Sequence, residues 1–273
     1  MSLGDQAESA VYPEYAVHCC KRPQAIYLGI SEEEIPPISY VPITDRTAKE
    51  AKYKLSHCLT LPAGERAVWL LLAELVEYYK VLGVEYFYIY VEDIDDYSQK
   101  VLKSYVESND AEVIRFPTDN DVDFQFVAMQ ECLYRSRQHS RWVAFGDIND
   151  RFSMRGRAIL LDVVYDAAAS NDSVAALRFQ SNYEFQKWSP PSEYKTIAVG
   201  QHEIRLFPNY VTTIVEPVAI AHSRHYVHSI PQEFFNQTRS QEYKHNASFQ
   251  SPLRGIVFLN VKIRLDNVYG NGS

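Results

Sequence analysis

From Tyr53 onward the apolar positions fall into a repeating order. Tyr53 to Leu61 alternates in hydrophobicity and stops at Pro62, as a strand does. Glu65 to Leu82 then carries Trp69, Leu72, Leu75, Val76, Tyr79 and Leu82 at helical spacing, and Gly83 stands where a helix takes its C-cap glycine. Val84 to Val91 reads as a second strand, Asp95 to Glu107 as a second helix with Val101, Leu102 and Tyr105 inward, and Ala111 to Phe116 as a third strand closed by Pro117. Asp123 to His139 follows as a third helix, with Phe126, Val127, Gln130, Cys132 and Leu133 on its apolar side. The run Trp142 to Phe145 is apolar on both faces, which suits an interior strand of a mostly parallel sheet. Strands alternating with helices in this way predict an α/β, nucleotide-binding type of half-sheet with parallel strands.

After that strand the pattern loosens. Arg157 to Ser170 predicts a helix and Val174 to Phe179 a strand. Short strand candidates follow at Ile197 to Val199, Ile204 to Phe207 and Val211 to Val215. Ala219 to His228 favours strand or loop, and Ile256 to Leu265 is a last strand candidate before a turn-forming tail, Asn267 to Ser273. This predicts a smaller mixed half able to cover the carboxyl edge of the sheet. Met1 to Thr47, with several prolines and the acidic run Glu32 to Glu34, predicts an irregular extension with one short strand near Ala25 to Leu28.

Candidate chemistry gathers where the fourth strand ends. Gly146 allows a turn or a close approach, and Asp147 and Asp150 sit just past it. In an open α/β sheet ligands bind at that carboxyl end. Carboxylate oxygens suit Mg²⁺ or Mn²⁺, and such ions are commonly shared between one or two carboxylates and the substrate's phosphates. Ordinary turn-capping acids fit the same residues. Neither G-x-G-x-x-G nor a P-loop is present, so a bound phosphate would need a metal for much of its neutralisation. His222, His225 and His228 supply candidate nitrogen ligands further on.

The bulk numbers narrow the classes. A chain of 273 residues, 46% hydrophobic and 23% charged, suits a folded protein of one large domain or two small ones. A formal charge of -8 argues against non-specific nucleic-acid binding. The 20 tyrosines read chiefly as strand and core residues. Cys19, Cys20, Cys58 and Cys132 contain no C-x-x-C pair, so a zinc site is not expected. Cys58 and Cys132 are expected on core elements, as buried thiols or as disulfide partners of Cys19 and Cys20 in a secreted protein. Met1 to Ala10 is polar and acidic, unlike a signal peptide, and no apolar run has the roughly 18 residues of a membrane span. Glycosylation triplets begin at Asn171, Asn236, Asn246 and Asn271.

Several segments together resemble glycosyltransferase family 92, the former domain of unknown function 23, in its nematode-type form. They are Leu75 to Tyr90, Val101 to Tyr105 with Glu112-Val-Ile, Gln130 to Arg135, Trp142 to Phe152, and Thr213-Ile-Val-Glu-Pro217 followed by His222. The likeness runs from about Tyr53 to His228. It implies a GT-A-like fold, with an irregular extension over 1–50, a transferase domain over 51–230 whose nucleotide-sugar half ends near 152, and a C-terminal segment from 231. It also implies a UDP-sugar donor, Mn²⁺ or Mg²⁺, transfer of a hexose such as galactose to a glycan or glycoprotein acceptor with inversion, and residence in the Golgi or secretory lumen. By the same resemblance Asp147, Asp150 and His222 would hold the metal, and Asp147 and Asn149 would face the donor. Glu184 would take the acceptor's proton from an acceptor-side loop, ahead of Asp166 and Asp172. Where the family's motif has a second Asp, this chain has Asn149, so the site carries less charge. That substitution favours the alternative, a relative that binds a glycan or nucleotide-sugar without turnover.

Overall fold

In the computed structural model, the structure describes residues 7, 9–11, 16–20, 22–31, 37, 39–61, 67–116, 124–154, 159–169, 171–179, 183–187, 196–199, 204–206, 208–214, 221–225 and 253–270. Within these, 153–154, 183–187, 196–199, 204–205, 214 and 221–225 are described by their backbone alone.

The first short strands lie in the extension: β1 (Ser9–Val11) pairs with β2 (Val17–Cys19), and β3 (Tyr27–Leu28) with β4 (Val41–Pro42). The main run is β5 (Tyr53–Thr60), α1 (Trp69–Val81), β6 (Tyr86–Val91), α2 (Asp96–Glu107), β7 (Ala111–Arg115), α3 (Phe124–Ser136) and β8 (Ser140–Asp147). It continues with β9 (Asp150–Met154), α4 (Leu160–Ala169), β10 (Val174–Phe179), β11 (Tyr183–Lys187), β12 (Thr196–Val199), β13 (Ile204–Leu206), β14 (Val211–Ile214) and β15 (Ala221–His225), and ends in α5 (Arg254–Tyr269).

The chain's turns follow from its residues. Asp95 accepts the Ser98 amide on its side chain and so starts α2. Gly83, at φ +94°, follows the last turn of α1, and its N–H reaches the Lys80 carbonyl.

The central sheet is seven-stranded, in the order β14-β10-β11-β8-β5-β6-β7. Strands β8, β5, β6 and β7 are parallel, as the βαβ pattern requires. Side chains alternate across this sheet. Leu55, Leu59, Phe87, Ile89, Trp142 and Ala144 face one core with residues of α1, α2, α4 and α5. Cys58, Tyr88, Tyr90, Val143 and Phe145 face the other with α3. The mostly parallel, helix-flanked α/β sheet expected of a GT-A-like chain is therefore present. The smaller half is mixed: β11 runs antiparallel to β8 and to β10, and β14 runs parallel to β10. Its strands extend the sheet beyond β8.

Some expectations are corrected. Ile256 to Leu265 is not a strand but the middle of helix α5, and the helix carries on through Asn267 to Tyr269, where a tail was expected. Its buried residues Val257 and Val261 are one helical turn apart, although Asn260, Lys262 and Arg264 also alternate with apolar residues as they would in a strand. Gly146 is no turn; it pairs with Leu59 inside the sheet, and the turn falls at Ile148 and Asn149. Cys58 and Cys132 are buried on core elements as expected, but as one disulfide between β5 and α3. Cys19 and Cys20 are exposed and free.

Candidate functional site

The carboxyl end of β8 leads into a tight acidic turn. Strand β5 lies beside it, with Thr60 paired to Asp147. Asp147 Oδ1 accepts the Asn149 backbone N–H at 2.8 Å and its side-chain amide at 3.1 Å. Asp150 Oδ2 accepts the Asp147 N–H at 3.0 Å, which brings the two acids to one turn. Asp147 and Asn149 are partly exposed, whereas Asp150 is buried at 7%. The local sequence explains this: a short acid at either end of an Asp-Ile-Asn-Asp turn can cap the backbone amides inside it.

The chain then reverses into β9, which pairs antiparallel with β15. That pairing brings the histidine strand to the turn. His225 is the register partner of Asp150, and His222 lies opposite Ser153. Register is a property of long-range pairing, so the sequence could not choose between these histidines. His228 lies outside the described residues.

Beneath the turn sits a set of buried side chains that pattern reading passed over. Tyr79 donates its hydroxyl to the Asp150 carbonyl at 3.2 Å, and Tyr78 donates to the Phe152 carbonyl. Arg151, 3% exposed, donates from Nη1 to the carbonyls of Ile148 and Asp150. His57, on β5, is fully buried with its ring 4.5 Å from that of Tyr79, and neither ring nitrogen makes a hydrogen bond of good geometry. Burial pulls His57 down to about 3, the Arg151 charge adds to that, and the Cys58 backbone opposes it only in part. The signal for these residues was their type: a histidine and a doubled tyrosine on core elements imply buried polar atoms that need partners.

Glu184 is a strand residue rather than a loop residue. It lies on β11 opposite Arg178. Its neighbour Phe185 pairs with Ala144, so Glu184 stands toward the carboxyl end of β8, the edge that carries Asp147. Asp166 is exposed on α4. Asp172 is in the turn that enters β10, and β10 runs in the same direction as β8, so Asp172 is at the opposite, amino edge.

Among the described residues no group of three His, Cys, Asp or Glu side chains is arranged to hold a metal ion. The donor chemistry of the turn nonetheless fits a hard divalent cation. Asp147 spends Oδ1 on its two hydrogen bonds and is partly exposed, Asp150 lies against its backbone, and a histidine-bearing strand is paired across β9. No described helix is long and apolar enough to cross a membrane.

The sequence profile of glycosyltransferase family 92 matches residues 53–253. No curated protein matches the chain. Among solved structures it is similar to S. aureus TarS 1-349, at 13% identity over 62% of this chain and 60% of that one, with a TM-score of 0.35. It is also similar to S. aureus TarS, at 14% identity over 62% of this chain and 36% of that one, with a TM-score of 0.34. A further match is S. aureus TarS 1-349 in complex with UDP-GlcNAc, at 13% identity over 78% and 67% of the two chains and a TM-score of 0.36. The chain thus spans 60% and 36% of the length of the first two of these.

Proposed function

Because the chain belongs to glycosyltransferase family 92, we propose that it moves a hexose, galactose, from a UDP-sugar to a glycan acceptor with inversion. The observation that carries this reading is the acidic turn, with Asp147 and Asp150 joined by a hydrogen bond at the carboxyl end of an inner parallel strand. Asp147, Asp150 and a histidine of β15, His222 in the family's pattern, would hold Mn²⁺ or Mg²⁺. The ion, when bound, supplies positive charge to the diphosphate as UDP departs. Asn149 fixes the Asp147 carboxylate by its two hydrogen bonds and so orients it toward the donor. Glu184 takes the proton of the acceptor hydroxyl while that oxygen bonds to the sugar's anomeric carbon, opposite the departing UDP.

The Cys58–Cys132 disulfide supports work in an oxidising lumen, the secretory pathway or Golgi. Asn171, first of the glycosylation triplets, is exposed in the turn before β10, as an acceptor asparagine must be. Asn236, Asn246 and Asn271 lie outside the described residues. In secreted full-length chain, Asn171→Gln is expected to shorten a glycosidase-sensitive gel shift by the step of one glycan; an unchanged shift would remove that site.

The deciding experiment is calorimetric titration with UDP in the presence and absence of Mn²⁺. Binding is expected only with the metal, and Asp147→Ala should abolish it. Glu184→Gln should keep UDP binding and lower transfer at least about 100-fold, the scale of a lost general base. A second reading, binding without turnover, is favoured by Asn149 in place of an acid. UDP binding of equal strength with and without metal would select it, and no UDP binding under either condition would discard the donor assignment.

A further inference from the structure

The acidic turn is fastened from beneath by a buried cation. Arg151 Nη1 donates to the Ile148 carbonyl at 2.7 Å and to the Asp150 carbonyl at 2.9 Å. These two carbonyls lie on either side of Asn149, so one guanidinium nitrogen spans the turn. The Tyr79 hydroxyl reaches the same Asp150 carbonyl at 3.2 Å. From above, the Asp150 carboxylate holds the Asp147 N–H at 3.0 Å. The segment between the acids is therefore gripped on its carbonyl side by Arg151 and Tyr79, and on its amide side by the acids themselves.

This placement is costly. A guanidinium that is 3% exposed has given up its water, and Arg151 Nε has no hydrogen-bond partner among the described residues. Nη1 gives its hydrogen bonds among the described residues to main-chain carbonyls of the turn. An apolar side chain would fill the space more cheaply but would leave the buried Ile148 carbonyl without this donor.

We propose that Arg151 is a positioning residue: it sets the backbone of the turn so that Asp147 and Asp150 present their carboxylates to a single divalent cation. The proposal rests on the metal-dependent reading above, and it adds which residue makes the acids a pair.

The test uses the full chain as wild type, Arg151→Lys and Arg151→Met. Amide hydrogen exchange is followed without metal, and Mn²⁺ alone is titrated and read by the paramagnetic signal of the free ion. In Arg151→Met the Asp147 and Asn149 amides are expected to exchange at least tenfold faster while those of β5 keep their wild-type rates, and Mn²⁺ should bind at least tenfold more weakly. Arg151→Lys, whose shorter side chain reaches fewer of the same carbonyls, should fall between. A residue needed only for general stability would speed exchange across β5 as well, and that result, or wild-type values for both readouts in Arg151→Met, overturns the proposal. Should Arg151→Met fail to fold, wild-type values in Arg151→Lys overturn it instead. A wild type that takes up no Mn²⁺ sinks the metal-dependent reading, and local exchange at the turn still decides whether Arg151 fastens it.

Discussion

Asn149 and His57 show how single side chains tune the site. The Asn149 amide donates to Asp147 Oδ1 at 3.1 Å, a bond an acid could not make. Asn149→Asp would exchange that bond for a like charge while raising the ligand charge that a divalent cation meets. Without metal the variant is expected to lose about 1 kcal/mol, and to bind Mn²⁺ roughly tenfold more tightly. Thermal melts with and without Mn²⁺ read both effects, and a variant matching wild type in both conditions would remove Asn149 from the site. His57 makes an acid-limb prediction. Its ordinary value is 6.5 and burial, aided by Arg151, lowers it to about 3 in the folded chain. Between those values the unfolded chain holds the proton and the folded chain does not, so stability falls as pH falls from about 6.5 toward 3, by up to ~1.4 kcal/mol per pH unit. Urea melts at pH values across this window should show a shallower acid slope in His57→Leu than in wild type. Equal slopes would mean that His57 titrates normally.

At the scale of elements, local pattern reached far. Apart from β9, which periodicity does not predict, the helices and strands from Tyr53 to Phe179 stand close to where periodicity puts them, because each buries alternate or helically spaced residues on both faces of one sheet. What local pattern missed is pairing between distant segments. The histidine triplet predicted a ligand, but only the β9–β15 register places His225 opposite Asp150 and His222 opposite Ser153. Cys58 and Cys132 were legible as core residues but not as partners, since their separation of 74 residues is closed by α3 packing on β5. Helix α5 was misread because a run of branched residues satisfies both periods. The disulfide gives this scale its prediction. Closing a loop of that length should contribute roughly 4 kcal/mol through the unfolded chain. Replacing Cys58 with Ala and Cys132 with Val should lower stability by about that amount. Dithiothreitol should then destabilise the wild type alone; a reductant effect of the same size in both proteins would place the sensitive bond elsewhere.

Across the whole molecule, α5 joins elements that the βαβ order leaves apart. The family profile stops at residue 253 and the helix starts at Arg254, so this layer lies beyond the matched stretch. Val257 and Val261 enter the core shared by α1, α2 and α4, and Tyr269 stacks on Tyr97 with ring centroids 4.0 Å apart. The connection with most at stake is Arg264. Its Nη2 reaches Asp110 at 2.9 Å, Nη1 the Ser104 hydroxyl at 3.0 Å and Nε the Glu77 carboxylate at 3.5 Å, and the guanidinium lies 4.2 Å from the centre of the Tyr105 ring. Glu77 is itself buried at 5% and accepts the Tyr105 hydroxyl at 3.0 Å. One cation therefore ties α5 to α1, to α2 and to the turn before β7. Removing it would leave Glu77 charged and out of water, the costly way to break a buried pair. Arg264→Ala is thus expected to cost about 3–5 kcal/mol in urea melts, and Glu77→Ala a comparable amount. A double variant, Glu77→Met with Arg264→Met, should recover most of the loss, because the two charges then leave together. A loss in the double variant equal to the sum of the separate losses would mean that the residues act independently. In that case α5 docks through Val257, Val261 and its aromatic end, and the ion pair only decorates the contact.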